Sequence, residues 1–350
     1  MSNLHYEFTD EEICYLGHTL RRIRATRDIP NQFVEKGDLG GYIEKEDNLQ
    51  GSAWVGNKAM VFGNAVVSDF AKVYDKARVY DNAKVFGTAR VFEEAEVFDK
   101  AKVFKKAKVF GNSKIFGNAK VLNYAEVFGY AQVFDSSKVS DSAEIYGEAK
   151  ICGRAEVYGE SKVFGKAEVR GYTEVFGSAK VYDSTAIRGK AKIYENATIS
   201  ENAKIYGETE VFGSAKVNGN VEVFGEAKIY GSARLFDNAK AYGYVKIGAE
   251  SVVFEDAEIL GVTELKSKVY IGRKAVIASK YDFCIFENFG SSNRSTVFYR
   301  TIDKDIRVGC GCFNGSLEEF VERVKETHGD DKFAKEYLAI VEVVKIKFNL

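Results

Sequence analysis

One hydrophobic position recurs every six residues through most of this chain. Ile43, Leu49 and Val55 begin a series that continues with Val, Ile or Leu at nearly every sixth residue as far as Ile277. Two residues earlier the chain mostly has Ala, Ser or Thr; the residue before the branched one is mostly Lys, Arg or Glu, and the residue after it is mostly Phe or Tyr. Alternate residues of a strand face opposite sides, so the small and branched residues face inward, and the charged and aromatic residues face outward.

This spacing predicts an all-β solenoid. Six residues are too few for a helix, whereas a short strand and a Gly, Asp or Asn corner fit that length. Three such units close one coil of about 18 residues, and each coil pairs with the next at the strand spacing of roughly 4.8 Å. A fixed short period without insertions is typical of solenoids. We predict a triangular parallel β-helix of about 13 coils over residues 41–280.

The two ends do not carry the repeat. In residues 1–40, segments 13–16 and 19–25 flank Gly17-His18 and predict a β-hairpin that caps the first coil. Residues 281–350 predict a small α+β capping domain, with strands at 283–286, 295–301 and 306–310 and a turn at Asn314-Gly315. Ser316 and Glu319 form a capping-box pattern, so a helix is expected to begin there and end near Gly329. A second helix is expected at 331–347.

The repeated phrase resembles the hexapeptide-repeat family, through the Val column that starts at Val73 and the small column that starts at Ala71. The resemblance implies a left-handed helix, although parallel crossovers are otherwise right-handed. The order LRRIRA, GDLGGYIEKEDNL and an aromatic-rich array is similar to the YdcK-type repeat proteins of bacteria and phages, which carry a transferase label. This chain has Phe or Tyr where the family prefers Gly, Ala, Glu or Asp, and fold alone does not establish an activity.

Histidine usage argues against the family's familiar chemistry. Its acyltransferases are known for a His in the repeats that acts as general base, often with loops that interrupt the coils. Here His5, His18 and His328 all lie outside the array, and no loop interrupts it. Acyl transfer needs a base of suitable pKa. We therefore predict no catalytic residue and no cofactor, and keep an acyltransferase-like enzyme as the alternative hypothesis.

Aromatic residues 18 positions apart are expected to stack along one side. The longest column contains Tyr74, Phe92, Phe110, Phe128, Tyr146, Phe164 and Tyr182. A second column contains Phe62, Tyr80, Phe98, Phe116 and Phe134. Such stacking stabilises neighbouring coils, and an extended exposed apolar surface also marks an interface. A second copy of the chain or another protein is the expected partner, with carbohydrate stacking as a lesser alternative.

Residues 71–120 contain twelve Lys or Arg against six Asp or Glu, and Lys102 and Lys108 lie in the densest run. A basic track with aromatic platforms suits single-stranded nucleic acid. However, Glu93, Glu94 and Asp99 adjoin this run in sequence, and the net charge of the whole chain is −1. We expect a solvated face of mixed charge rather than a nucleic-acid site, and retain polyanion binding as an alternative.

Zinc and membrane insertion are not expected. Cys284, Cys310, Cys312 and His328 are weak candidate zinc ligands, but the CxC spacing is short and ordinary burial explains the cysteines, so we predict no metal. Five sparse cysteines fit a reduced compartment. No run of 18 apolar residues and no apolar signal core occur. The sequence thus favours a cytoplasmic, phage-associated scaffold: a non-catalytic interaction solenoid that self-associates.

Overall fold

Corner residues with positive φ alternate with two-residue strands through most of the chain. The computed structural model describes residues 4–350, and the chain forms two compact units, one up to Arg188 and one from Gly189 to Leu350. In each unit the coils run through three parallel sheets. We call them the first, second and third faces in the order in which the chain visits them from Leu39 onward, and we keep these names in the unit from Gly189. The third faces of the two units together contain 13 strands, one per coil, and the predicted parallel β-solenoid is confirmed.

In the unit up to Arg188, strands of one face lie 18 residues apart. The first face contains Leu39–Ile43, Met60–Val61, Arg78–Val79, Glu96–Val97, Lys114–Ile115, Gln132–Val133, Lys150–Ile151, Glu168–Val169 and Ala186–Ile187. The second contains Val66–Val67, Lys84–Val85, Lys102–Val103, Lys120–Val121, Lys138–Val139, Glu156–Val157 and Glu174–Val175. The third contains Trp54–Val55, Lys72–Val73, Arg90–Val91, Lys108–Val109, Glu126–Val127, Glu144–Ile145, Lys162–Val163 and Lys180–Val181.

The unit from Gly189 repeats this arrangement. Its first face contains Lys204–Ile205, Glu222–Gly225, Lys240–Gly243, Glu258–Ile259 and Val276–Ile277. Its second contains Lys192–Ile193, Glu210–Val211, Lys228–Ile229, Lys246–Ile247 and Glu264–Leu265. Its third contains Thr198–Ile199, Lys216–Val217, Arg234–Leu235, Val252–Val253 and Tyr270–Ile271.

The interior of the coils is dry and made of two residue types. The inward branched and small residues, such as Val103 and Ala101, are completely buried. Where Ser replaces Ala, its hydroxyl remains satisfied: Ser113 Oγ donates to the carbonyl of Phe110 at 2.8 Å. Backbone N–H groups bond to the next coil, as from Lys102 to Ala119 at 2.9 Å. These bonds satisfy the backbone polar groups that burial would otherwise leave unpaired.

Corners require a left-handed backbone, which explains their composition. The first corner residue has positive φ in nearly every coil, and it is Gly, Asp, Asn or Glu in most. Gly147, at φ +69°, shows why glycine recurs: a Cβ there would lie 2.9 Å from the backbone nitrogen of Gly165 in the next coil. At other corners Asp adopts the same φ, because its short polar side chain tolerates this region.

An antiparallel hairpin covers the first face of the first coil. Strands Tyr6–Tyr15 and His18–Ala25 pair with each other, and the second pairs with Leu39–Ile43. The first strand is longer than the predicted segment 13–16, and its register shifts between Phe8 and Glu12. Two 3₁₀ turns follow, Pro30–Gln32 and Glu46–Asn48. Asn48 is fully buried, and its amide donates to the carbonyls of Gly63 and Ala65. It therefore covers the start of the second face.

The chain ends in a four-stranded antiparallel sheet and two helices. The strands are Phe283–Phe289, Arg294–Arg300, Ile306–Cys310 and Phe313–Ser316, and the helices are α1, Leu317–His328, and α2, Lys332–Phe348. The predicted capping box of Ser316 and Glu319 and the stop at Gly329 are confirmed. The predicted turn at Asn314-Gly315 is wrong: both residues lie in the fourth strand, and the turn is formed by Gly311 and Cys312 instead.

Candidate functional site

The aromatic column of the third face forms a continuous stack in the unit up to Arg188. From Tyr74 to Tyr182 the neighbouring ring centroids are 4.7 to 4.9 Å apart, and their planes are parallel within 7°. The rings are half-buried, so each ring covers the next coil and leaves an edge at the surface. We call these seven rings the long ladder: Tyr74, Phe92, Phe110, Phe128, Tyr146, Phe164 and Tyr182.

Shorter stacks occur on the other two faces of this unit. On the first face, the rings from Phe62 to Phe134 are 4.8 to 5.1 Å apart. On the second face, Phe86 stacks on Phe104 at 4.8 Å and Tyr158 stacks on Phe176 at 4.9 Å. These second-face pairs were not identified from the sequence, although the same 18-residue spacing would have found them.

Cys152 ends the first-face stack and is a buried thiol rather than a reactive one. It occupies the ring position after Phe134 and is 8% exposed. Burial, with smaller effects of Glu168 and Asp135, raises the pKa of Cys152 to about 11. The thiolate is the nucleophilic form of cysteine, so this side chain remains protonated and unreactive near neutral pH.

Tyr158, in one of the second-face pairs, is held in its neutral form. Burial, together with a hydrogen bond from the hydroxyl to Glu174 Oε2 at 2.9 Å, raises the pKa of Tyr158 to about 12. This folded-state pKa lies above the ordinary value of 10.0. The neutral hydroxyl of Tyr158 therefore contributes fully to the free energy of unfolding below pH 10, and this contribution is lost as the pH rises through 12.

We expect the urea concentration at the unfolding midpoint to decrease as the pH rises from 10 to 12. This decrease should be smaller in Tyr158→Phe than in the wild type. Urea titrations followed by circular dichroism at both pH values provide the measurement. Tyr130→Phe is the matched control, because Tyr130 is 64% exposed and its loss should leave the slope with pH unchanged. Equal slopes for wild type and Tyr158→Phe would contradict the expectation.

Lys102 and Lys108 lie on different faces. Lys102 is exposed on the second face, whereas Lys108 lies on the third face, where its Nζ is 2.8 Å from Glu126 Oε1. Strand pairing places Lys84, Lys102 and Lys120 in one column of the second face.

Burial, with a smaller effect of the Arg90 charge, lowers the pKa of Lys72 on the third face. Four of these cations were not singled out from the sequence: Lys84, Lys120, Lys72 and Arg90.

The three histidines are held by the two ends of the chain. His5 Nε2 lies 2.8 Å from the carbonyl of Ala53, and burial lowers the pKa of this histidine. His18 Nδ1 lies 2.9 Å from Glu44 Oε1. His328 Nε2 lies 3.3 Å from Ser291 Oγ, and its Nδ1 lies 3.5 Å from Asp331 Oδ2. Each histidine therefore has a structural partner, and none of the three lies within the coils themselves.

The candidate zinc ligands do not gather into a site. Cys284 and Cys310 lie on strands that flank Arg294–Arg300 on opposite sides, opposite Phe298 and Thr296. Thr296 Oγ1 donates to Cys310 Sγ at 3.0 Å, and burial raises the pKa of Cys284 to about 11. Cys312 is exposed in the following turn. Among residues 4–350, no three His, Cys, Asp or Glu side chains come together as metal ligands.

No family model matches this chain, and a search of curated proteins finds no match either. In the part of the chain that the structure describes, no helix has the length and apolar character needed to cross a membrane. The fold and its surface therefore carry the functional argument.

Proposed function

We propose that this chain is a non-catalytic interaction solenoid of the hexapeptide-repeat type, related to the YdcK-type proteins, that self-associates through its third face. The observation that carries the proposal is the long ladder, a run of seven parallel rings on one side of seven successive coils. At strand spacing these coils extend over roughly 30 Å. The placement of all three histidines outside the coils supports a binding role over acyl transfer. The proposal includes a phage association and a cytoplasmic location, and the five free cysteines support the second of these.

Charges beside the long ladder favour a second copy as the partner. In successive coils the outward residues of the third face include Glu126 and Glu144, followed by Lys162 and Lys180. An antiparallel pairing centred between the second and third of these coils would place each glutamate opposite a lysine of the second copy. A two-fold axis repeats each contact, as in most homodimers. Such complementarity adds specificity and register to the contact.

Sedimentation velocity over a range of concentrations tests this proposal. We expect the sedimentation coefficient of the wild type to rise with concentration and that of Phe164→Lys to stay at the monomer value. The matched control is Phe116→Lys on the first face, because Phe116 and Phe164 each stack on two rings at 4.7 to 4.9 Å. Both variants remove equal stacking, so only an interface on the third face separates them. A monomeric wild type, or equal behaviour of the two variants, would refute self-association through this face.

A further inference from the structure

One edge of the unit up to Arg188 gathers cationic side chains from three directions. Lysines come from the second face, Lys or Arg from the third face, and two more lysines from the corner that joins them. Strand pairing keeps the residues of each face in register from coil to coil, and the corner residues follow the same order, with Thr88 N–H bonded to the carbonyl of Lys105. We call this set the basic ridge: Lys72, Lys84, Arg90, Lys102, Lys105, Lys106, Lys108 and Lys120.

Acidic residues that neighbour the basic ridge in sequence lie elsewhere in space. Glu96 belongs to the first face, Glu94 follows the third face at the next corner, and Asp99 follows the first face. Among the described coil residues 69–124 at the edge of the ridge, Asp69 is the one carboxylate, and its Oδ2 accepts a hydrogen bond from the N–H of Gly87 at 2.9 Å. Folding therefore converts a run of mixed charge into a strongly cationic edge.

Most cations of the basic ridge lack an acidic partner. Several other outward cations of this unit bond to a Glu one coil away, as in Arg78 with Glu96 at 2.7 Å and Lys162 with Glu144 at 2.9 Å. In the ridge, Lys108 pairs with Glu126, and its other seven members form no salt bridge with any described residue. Like charges stacked in register destabilise a sheet, so this row of cations does not itself stabilise the coils.

Exposed aromatic rings lie along the same edge. Phe70 and Tyr124 belong to its corner column and are 47% and 59% exposed. Phe33, in the loop before the first coil, is 92% exposed and has a left-handed backbone with φ +55°. Phe33 and Phe70 line a groove of about 550 Å³ together with Lys72, Tyr74 and Arg90. Cations and exposed rings thus share one surface, and Lys106 of the ridge contacts one of these rings: its Nζ donates to the hydroxyl of Tyr124 at 3.1 Å.

We propose that the basic ridge and this groove bind single-stranded nucleic acid. Lysines along the ridge would neutralise successive phosphates, and the rings of Phe33, Phe70 and Tyr124 would stack on bases. Backbone cations combined with aromatic platforms are the means by which proteins bind single strands without a sequence code. A duplex hides its bases inside the helix and would contact only the cations of the basic ridge. A sulfated polysaccharide offers charge but no flat bases. Both ligands therefore serve as probes that separate binding by charge from binding by base stacking.

Fluorescence anisotropy with a labelled oligothymidylate of about 20 nucleotides tests the proposal. The ridge variant combines Lys84→Gln, Lys102→Gln, Lys105→Gln and Lys120→Gln. The control variant removes the same charge at other edges or faces of the unit, by Lys58→Gln, Lys100→Gln, Lys150→Gln and Lys166→Gln; all eight lysines are exposed. We expect the ridge variant to raise Kd at least about tenfold and to flatten the dependence of log K on log salt by about 0.7 for each phosphate that is no longer neutralised, and the control to change Kd less than about threefold.

A second variant tests the rings separately from the charge. Phe33→Ala removes a solvent-exposed ring, so its fold should be intact, and we expect a five- to tenfold or so weaker affinity for the oligothymidylate with unchanged affinity for heparin. Leu16→Ala is the control, because Leu16 is also exposed, at 72%, but lies away from the groove. Absence of oligothymidylate binding at low salt, equal loss of affinity in the ridge and control variants, tighter binding of duplex, or no effect of Phe33→Ala would each overturn the proposal.

Discussion

Replacing Ile145 by Asp is expected to lower the free energy of unfolding of the first unit by at least about 4 kcal/mol. Ile145 is completely buried and pairs in register with Val127 and Val163 of the adjoining coils. The interior around it is apolar apart from the hydroxyl of Ser161 in the adjoining coil, which already donates to the carbonyl of Tyr158 at 2.8 Å. A carboxylate there would have no free hydrogen-bond donor and no counter-ion. The cost is that of burying an unpaired polar group and losing the packing of a branched side chain.

Urea unfolding followed by far-ultraviolet circular dichroism measures this effect. Ser142→Asp adds the same carboxylate three residues earlier, at an exposed corner, and should move the midpoint little. Ile145→Val removes one methylene and should cost about 1 kcal/mol. A midpoint for Ile145→Asp near that of Ser142→Asp would mean that water or a polar group reaches the interior, and the dry-core account would fail.

The six-residue period determined the coils because one physical rule governs every unit. A small residue and a branched residue two positions apart face the same side of a strand, and the corner residues that follow each pair end the strand. This pattern holds from Met60–Val61 to Val276–Ile277. The stacking of the long ladder follows from the same arithmetic, since 18 residues separate equivalent positions. Fold and ring columns were therefore predictable from local sequence.

The charge distribution was harder to predict because sequence neighbours diverge in space. Lys102 and Glu96 are six residues apart, yet they lie on the second and first faces. A count of charges along consecutive residues combines the charges of all three faces. A count at 18-residue intervals gives the charge of each face separately. The exposed ring of Phe33 lies in a loop without any period, so no repeat-based argument could place it beside Phe70.

Irregular segments at the two ends depart from the predicted bounds for identifiable reasons. Strand Tyr6–Tyr15 has the polar sequence YEFTDEEICY, which lacks the apolar alternation that marks a strand, and its pairing with His18–Ala25 defines it instead. Asn-Gly dipeptides favour turns, but Gly315 lies against the ring of Phe313, where a Cβ would be 2.6 Å from the ring. Glycine serves close packing there rather than a turn.

Replacing Ile23 by Asp is expected to cause aggregation rather than simple unfolding. Ile23 is completely buried, and its Cγ1 would lie 2.5 Å from a Cβ at Gly40, so it packs directly on the first strand of the solenoid. A carboxylate there costs several kcal/mol unless the hairpin detaches. Detachment uncovers the edge of Leu39–Ile43, which now pairs with His18–Ala25, and an unpaired edge strand recruits further chains.

Static light scattering at about 10 μM protein, a concentration at which exposed edges already associate, measures this outcome. We expect the scattering of Ile23→Asp to grow with time and concentration, while Thr19→Asp, an exposed position on the same strand, behaves as wild type. If Ile23→Asp instead remains unaggregated and loses only thermal stability, the hairpin contributes stability without protecting the edge. Because a solenoid of stacked coils always has two ends, protection of the first one is a condition for the chain to remain dispersed.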